Sequence, residues 1–302
     1  MRITAPAQPK AEDSPLVTIG IPTYNRADWL DRAIASALAQ DYAHLEVVIS
    51  DNASTDRSAE ICEHWRVADR RVRSYRQSSN LGPSANFAFV LQQASGTWFM
   101  WLGDDDWIDS NYVSQCLKAA WRDQNVALVG GRARYYNAGV CIAQGQAMDL
   151  TQSAWWRRVI AYFWSVQDNG IFYGLARTQD QRRSTIRNVM GGDWLHIAAL
   201  GARGRVLTIE TTTVHREVGG ATTSYRNIAR SLSLHPLTGR FPFTAIAIQA
   251  FADVAWRHPG YRGRSTPARW AIAALAAGGV ILRGLWGALF SAARSMRSAL
   301  RR

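Results

Sequence analysis

Cysteines are few in this chain, and the common phosphate-binding glycine patterns are absent. The three cysteines, Cys62, Cys116 and Cys141, include no Cys-x-x-Cys pair. Their spacing argues against a structural zinc site or a disulfide framework and fits a reducing cytoplasm. Neither a G-x-G-x-x-G segment nor a Walker A segment occurs. A dinucleotide site or a P-loop ATP site is therefore not expected.

Acidic residues are outnumbered, since 35 Lys and Arg residues accompany 23 Asp and Glu residues, for a net charge of +12. Such an excess indicates an anionic partner: a nucleic acid, a phosphorylated substrate or an acidic membrane surface. A basic nucleic-acid-binding protein is one hypothesis, which the 13 tryptophans also suggest. No helix-turn-helix, RNP or zinc pattern accompanies the charge, so we expect no nucleic-acid partner.

The N-terminal residues 1–15 are polar, contain three prolines and have no apolar segment. We expect a disordered arm here and no signal peptide. After it, short apolar segments at 17–21, 45–50, 72–75 and 97–102 alternate with segments of helical periodicity. This order predicts an α/β fold, with a mostly parallel sheet flanked by helices. Ligands of such sheets bind beyond the carboxyl ends of the strands.

Three adjacent carboxylates, Asp104, Asp105 and Asp106, follow the fourth predicted strand. Like charges repel, so this arrangement suits a site where a cation lies among them. Mg²⁺ and Mn²⁺ prefer carboxylate oxygens and leave positions open for phosphate. The alternative is a solvated turn with helix-capping Asp residues. Polar loops around Tyr24 and Asp51 are predicted at the same sheet edge, which favours a binding site.

Four segments resemble glycosyltransferase family 2, whose members are inverting enzymes of the Rossmann-like GT-A fold. They are VTIGIPTYNR at 17–26, VISDNASTD at 48–56, NLGPSAN at 80–86 and LGDDDW at 102–107. The Gly-Asp-Asp-Asp segment after an aromatic strand looks like the branch that includes abequosyltransferases of O-antigen synthesis. The resemblance implies a catalytic domain over 16–225, with a nucleotide-binding half at 16–115 and an acceptor half at 116–225.

The resemblance also implies roles for individual residues. Expected contacts to a nucleotide-diphospho-sugar donor are Pro22, Thr23, Tyr24, Asn25, Asp51, Asn80, Asp104 and Arg216. A Mn²⁺ or Mg²⁺ cofactor is expected, with Asp105, Asp106 and His215 as its ligands. The alternatives are helix caps at Asn25 and Asp51, a plain turn at Asn80, a satisfied histidine at 215 and a surface ion pair at Arg216. Asp56 is expected to brace its own loop.

Asp193, in the segment Gly-Asp-Trp-Leu at 192–195, is similar to the catalytic base of the family. Inversion needs a carboxylate on the face opposite the departing diphosphate, where it takes the proton of the acceptor hydroxyl. A simple helix N-cap is the alternative for this residue. The chain departs from the family at Gly103 and Gly192, because many relatives carry an acidic residue at these positions.

The C-terminal region, 226–302, is expected to be helical and associated with a membrane. Its segment 270–293 is apolar and interrupted by Arg283 alone. Five arginines, at 269, 283, 294, 297 and 301, fall within about 80° of one another on a helical wheel. A central Arg opposes a full membrane span. We therefore expect a helix in the membrane interface with its arginines toward anionic headgroups; packing against the catalytic domain is the alternative.

These observations lead to one main hypothesis and two alternatives. The main one is a metal-dependent hexosyltransferase on the inner face of the cell membrane, which extends a lipid-linked oligosaccharide in cell-surface polysaccharide synthesis. The alternatives are a polyprenyl-phosphate sugar transferase of the same fold and the basic nucleic-acid-binding protein. A tryptophan-rich stripe at 151–164 is expected to form a core helix, with an acceptor-side wall or a membrane-facing helix as the other interpretations.

Overall fold

The computed structural model describes residues 14–184, 186–218, 224–261 and 266–299. The predicted arm therefore lies almost entirely outside the described residues. Strands and helices alternate in the first part of the chain, as the sequence predicts. They are β1 (Val17–Thr23), α1 (Ala27–Leu38), β2 (Leu45–Asp51), α2 (Ser58–Ala68), β3 (Val72–Arg76), α3 (Pro83–Gln93), β4 (Trp98–Trp101), β5 (Trp107–Ile108) and α4 (Tyr112–Arg122).

The second part of the chain is more irregular and ends in helices. Its elements are β6 (Val126–Asn137), β7 (Val140–Gln144), α5 (Trp155–Ser165), a 3₁₀ turn (Gly170–Tyr173), β8 (Ala176–Arg177), α6 (Thr178–Arg183), α7 (Gly192–Arg203) and β9 (Arg205–Glu217). The helical region has α8 (Tyr225–Ser231), α9 (Pro236–Arg240), α10 (Pro242–Ala252), a π-helical turn (Asp253–Arg257), a 3₁₀ turn (Pro259–Tyr261) and α11 (Thr266–Ala299).

The main sheet has the strand order β3-β2-β1-β4-β8. Its first four strands are parallel, and β8 at the edge is antiparallel. Every residue of β1 and β2 is buried, as expected of parallel strands covered on both faces. The loops after β1, β2 and β4 consequently leave the sheet at one edge, so the predicted parallel sheet is confirmed.

A second sheet, which the sequence did not predict, has the order β5-β9-β6-β7. Strand β5 follows the aspartate cluster directly and pairs with β9, with Trp107 opposite His215. This pairing carries the end of β9 to the three aspartates, although more than a hundred residues separate them in the chain.

The loops that begin α1 and α2 are joined by one side chain. Asp56 accepts hydrogen bonds from the backbone N–H of Ala27 and of Ser58, each over 3.0 Å. The expected bracing role of Asp56 is therefore confirmed. The side chain of Asn25 bonds to Thr55 and the residue before α1 provides no side-chain cap, so the expected cap from Asn25 is wrong.

Helix α5, within the tryptophan-rich stripe, is largely a core helix. Val159, Tyr162 and Phe163 are buried, and the Nε of Arg158 donates to the Gly201 carbonyl over 2.6 Å. Trp164 stays half-exposed and donates its ring N–H to the Leu275 carbonyl. This helix therefore supports α7 and α11.

Helix α11 turns the opposite side to the protein from the one expected. Arg283 donates to the Trp164 carbonyl over 2.9 Å, and Arg269 lies on the same half-buried side. The other side exposes Trp270, Leu275, Leu282, Leu285 and Trp286; we call these five residues the apolar face of α11.

The outward direction predicted for Arg269 and Arg283 is thus wrong, because packing on α5 turns both toward the protein. The side chains of Arg294, Arg297 and Arg301 lie outside the described residues. Among the described helices, Pro267–Trp286 is long and apolar enough to cross a membrane by length and composition, with a mean hydropathy of 1.4.

Candidate active site

One cavity of about 540 Å³ lies at the carboxyl edge of the main sheet. The loops after β1 and β4 line one side, and the first turn of α7 and the end of β9 line the other. Eight residues predicted for the site share it: Pro22, Thr23, Tyr24, Asn80, Asp104, Asp105, Asp193 and Arg216. The fold therefore brings together residues that were predicted from five separate segments.

Asp104 and Asp105 face Arg26 across the cavity wall. The Nε of Arg26 lies 3.8 Å from one Asp104 oxygen, and its Nη2 lies 3.8 Å from Asp105. Asp104 also accepts a 3.3 Å hydrogen bond from the backbone N–H of Tyr24. Burial, with the charge of Asp105 added, raises the pKa of Asp104 to about 7. The pair is therefore short of positive charge, since one distant guanidinium does not offset it.

This shortage of positive charge fits a divalent cation. Two carboxylates can hold Mg²⁺ or Mn²⁺ when phosphate oxygens and waters complete the coordination. Within the described ranges, no group of three or more His, Cys, Asp or Glu side chains is arranged for a metal. The described residues therefore form no closed metal site by themselves, and Asp104 and Asp105 are the pair that could hold such an ion together with ligand oxygens.

Asp106 points away from this cavity into the protein. It accepts hydrogen bonds from the backbone N–H of Glu217 over 3.1 Å and from the Nε of Arg216 over 3.4 Å. Burial raises its pKa to about 6. The predicted metal ligand Asp106 is thus positioned as the partner of Arg216.

His215 likewise lies apart from Asp105. Its Nδ1 is hydrogen-bonded to the Tyr136 hydroxyl over 2.9 Å, and its Nε2 to Asp109 over 2.8 Å. The ring stacks on Trp107, with centroids 5.0 Å apart. Both nitrogens are occupied within the protein, so the geometry favours a structural histidine that links β5 to β9.

Asp51 and Asn25 do not line the cavity. Asp51 is buried, accepts a 2.9 Å hydrogen bond from the Ser54 N–H and lies 3.6 Å from Arg76. Asn25 has a φ of +53° and accepts a 2.7 Å hydrogen bond from the Thr55 N–H. Both residues therefore shape the two loops around the predicted nucleotide position.

Asp193 lies in the first turn of α7, across the cavity from the aspartate pair. The side-chain amide of Asn169 donates to its Oδ2 over 2.6 Å. Burial raises the pKa of Asp193, and the hydrogen bond from Asn169 opposes this shift. A carboxylate held in this way can accept a proton more readily than an exposed one.

Arg216 is held between two aromatic rings and one carboxylate. Its guanidinium carbon lies 4.8 Å from the Tyr173 ring centroid and 5.6 Å from that of Tyr135. Asp106 fixes its Nε, as described above. A guanidinium stays charged at all relevant pH values, so Arg216 supplies a fixed positive charge to the cavity.

Gly103 and Gly192, where the sequence departs from the expected family pattern, are both closely packed. A Cβ at Gly103 would lie 2.6 Å from the Oδ2 of Asp106, and a Cβ at Gly192 would lie 2.3 Å from the Arg187 carbonyl. Both distances are shorter than van der Waals contact. A side chain at either position would therefore require neighbouring atoms to shift.

Several residues of the cavity were not predicted. Arg26 and Asn52 are immediate neighbours of predicted residues in the sequence, so the segments themselves carried that signal. Glu217 likewise follows the predicted Arg216, whereas Asn169 and Tyr173 belong to no recognised segment, and only the tertiary fold brings these two to the cavity.

Comparison with known sequences gives a match to one family. The profile described as glycosyl transferase family 2 covers residues 18–179. Abequosyltransferase RfbV of Salmonella typhimurium is 39% identical over 94 residues, 30% of this chain and 28% of its own length. The GalNAc(5)-diNAcBac-PP-undecaprenol beta-1,3-glucosyltransferase of Campylobacter jejuni is 33% identical over 107 residues, 35% of each protein.

The chain spans 24%, 58% and 35% of the length of three curated relatives that it matches. Among solved structures, mannosyltransferase PcManGT from Pyrobaculum calidifontis, in complex with GDP-Man and Mn²⁺, is similar with a TM-score of 0.57 at 17% identity. That comparison covers 98% of this chain and 87% of the mannosyltransferase. The likeness confirms the predicted GT-A fold.

Proposed function

The chain belongs to glycosyl transferase family 2, and on that premise we propose that it transfers a sugar from a nucleotide-diphospho-sugar to an acceptor hydroxyl with inversion. The observation that carries the proposal is the single cavity that Asp104 and Asp105 share with Asp193. Asp104 and Asp105 would hold a cation for the donor diphosphate, and Asp193 would accept the proton of the acceptor hydroxyl.

On the donor side, the loop after β1 receives the nucleotide. Tyr24 is 42% exposed, and its ring is available to stack on the base. Asp104 and Asp105 would hold a divalent cation, which supplies positive charge to the departing diphosphate. Arg216 adds a fixed charge to the same leaving group.

On the acceptor side, Asp193 takes the proton as the hydroxyl attacks. Asn169 orients the carboxylate and keeps one of its oxygens engaged. The attack then proceeds from the face opposite the diphosphate, which inverts the configuration.

The proposed acceptor is a lipid-linked oligosaccharide at the cytoplasmic face of the cell membrane. The name of the Campylobacter relative specifies a saccharide carried on undecaprenyl diphosphate. In this chain, the apolar face of α11 offers a surface for the membrane, since exposed Trp and Leu side chains favour the interface.

A nucleotide panel tests the proposal. UDP, GDP, CDP and dTDP are added to the full chain with and without Mn²⁺, and thermal unfolding is followed. One nucleotide is expected to raise the Tm in the presence of Mn²⁺, because a ligand that binds only the folded state stabilises it. If no nucleotide raises the Tm under either condition, the donor assignment is wrong.

A further inference from the structure

A second cavity, of about 630 Å³, adjoins the active-site cavity. Arg187 lines both of them. The residues around the second cavity are Arg182, Arg183, Arg187, Arg203, Asp253, Arg257 and His258. Five arginines and one aspartate line the cavity, and Asp180 lies 3.6 Å from Arg203. Three positive charges remain unbalanced, so this arginine cavity suits an anion with more than one charge.

The arginines are held in place by the protein. Arg182 donates to the Ala94 carbonyl over 2.7 Å, and Arg187 is paired with Asp253 and bonded to Gln249 over 2.9 Å. Arg257 reaches the same Gln249 oxygen over 2.9 Å. Side chains fixed in this way lose little entropy when an anion binds.

His258 lines the same cavity and carries no charge of its own. Burial, with the charges of Arg203 and Arg187 added, lowers its pKa to about 4. Its Nδ1 accepts a 3.0 Å hydrogen bond from the Gly260 N–H, which requires that nitrogen to be unprotonated. The imidazole is therefore neutral at physiological pH and does not add to the charge count.

An aromatic rim connects the arginine cavity to the apolar face of α11. Trp256 precedes Arg257 in the π-helical turn and packs on Trp270, with ring centroids 5.6 Å apart. Phe251 lies 5.6 Å from each of these two rings. Trp256 and Trp270 are about half exposed. Tryptophans between a charged region and an apolar surface are typical of a membrane interface.

We propose that the arginine cavity binds the diphosphate of a polyprenyl-diphosphate-linked acceptor, whose hydrocarbon chain lies along the apolar face of α11. This inference rests on the proposed function, because it locates the acceptor of that reaction. Arginine forks match phosphate oxygens in pairs, and the cavity is concave, unlike a surface that contacts bulk headgroups. Arg187 stands between the two cavities, so the saccharide attached to the diphosphate leads toward Asp193.

Farnesyl diphosphate is the probe, titrated by calorimetry into the full chain in metal-free buffer. The variant Arg183→Ser/Arg257→Ser removes two exposed charges of the cavity. The control Arg70→Ser/Arg122→Ser removes two exposed charges elsewhere, so both lose the same net charge. We expect the affinity for the probe to fall at least about tenfold in the first variant and to stay unchanged in the control.

Two further ligands separate the possible sources of phosphate. Inorganic diphosphate is expected to bind more weakly than farnesyl diphosphate, because it lacks the hydrocarbon chain; equal affinity would overturn the lipid assignment. Phosphatidylglycerol vesicles are expected to bind both variants alike. Selective loss of vesicle binding by the cavity variant, with unchanged probe affinity, would overturn the diphosphate assignment in favour of a bulk headgroup.

The same proteins are titrated with the nucleotide selected by the panel, with Mn²⁺ present. If both double variants bind the nucleotide normally and bind the probe with equal affinity, the assignment of the arginine cavity is wrong and the proposed donor still stands. Cavity-dependent probe binding without nucleotide binding contradicts the proposed donor and leaves the cavity assignment standing.

Discussion

The side-chain amide of Asn169 donates a 2.6 Å hydrogen bond to the carboxylate of Asp193. Asn169 lies just before a 3₁₀ turn, and Asp193 lies in the first turn of α7, so this bond joins two segments that meet only in the fold. The amide fixes the direction of the carboxylate and stabilises its charged form. The hydrogen bond from Asn169 therefore sets both the orientation and the proton affinity of the proposed base, Asp193.

Asp193→Asn is expected to lower sugar transfer by roughly 10²- to 10⁴-fold, because an amide cannot accept the proton. Donor binding should change little, since the donor diphosphate lies on the opposite side of the cavity. Initial rates and nucleotide titrations of the purified variant measure the two effects. A transfer rate near that of the wild type would show that Asp193 is not the base.

Asn169→Ala is expected to shift the acid limb of the rate–pH profile to higher pH. Burial raises the pKa of Asp193 and the Asn169 hydrogen bond lowers it, so loss of the bond raises the pKa further. A general base works only when it is unprotonated, and the rate at pH 6 should therefore fall more than the rate at pH 8. Asn137→Ala, an exposed asparagine at the end of β6, is the control; an identical profile in both variants contradicts the positioning role.

Asp104→Asn is expected to stabilise the metal-free protein while it weakens Mn²⁺-dependent nucleotide binding. The folded-state pKa of Asp104 is about 7, against an ordinary value of 3.8. The stability that its bound proton provides is complete at low pH and is lost as the pH rises through the folded-state pKa. The uncharged amide avoids that loss.

The Tm of Asp104→Asn should therefore exceed that of the wild type at pH 8, by on the order of 2–4 °C for each kcal/mol regained. Near pH 4 the two proteins should unfold at similar temperatures. Thermal unfolding at both pH values, with Glu63→Gln on the exposed part of α2 as the control, provides the measurement. A lower Tm at pH 8 would mean that the carboxylate is not strained by burial.

Gly192→Ala is expected to lower the free energy of unfolding by roughly 1–3 kcal/mol, a typical cost of overpacking. The added Cβ would lie 2.3 Å from the Arg187 carbonyl, which is backbone and cannot rotate away. Gly278→Ala in α11 is the matched control, because nothing lies within 4 Å of its Cβ and alanine favours a helix by about 1 kcal/mol. Denaturant unfolding should give opposite signs for the two variants.

Leu275→Glu/Leu282→Glu is expected to reduce pelleting with anionic liposomes several-fold, because both side chains lie on the apolar face of α11. Val67→Glu, which changes a residue 73% exposed on α2, should pellet like the wild type. A chain that ends near Pro267 should lose binding as well. Equal pelleting of all four proteins would remove the membrane proposal for this helix.

The half of the fold predicted to bind the nucleotide was predictable, because β1, β2 and β4 are fully buried and its loops contain recognisable segments. The half predicted to bind the acceptor was less predictable for a topological reason. Strand β9 pairs with β5 and β6, which are distant from it in the sequence, and no local sequence pattern predicts that pairing. This is why the positions of Asp106 and His215 differ from the metal-ligand expectation.

The prediction of which side of α11 faces the protein was wrong for another reason. The arginine stripe on the helical wheel was real, but a wheel does not tell which side meets the protein. Packing decided the matter, since the Trp164 carbonyl at the end of α5 accepts the Arg283 guanidinium. A stripe of charge on an apolar helix can therefore mark its docking side.

The hydrogen bond between Arg216 and Asp106 has a consequence for chimeric enzymes. Strand β9 lies beyond residue 179, where the match to the family profile ends. Its Arg216 nevertheless donates to the buried carboxylate of Asp106, which lies in the segment after β4. An exchange of C-terminal halves between relatives would remove the Arg216 partner of Asp106 unless the new half brought a cationic side chain to the same position. Hybrids that take both residues from the same parent should fold. Hybrids that take them from different parents should leave the buried carboxylate of Asp106 without a positive partner.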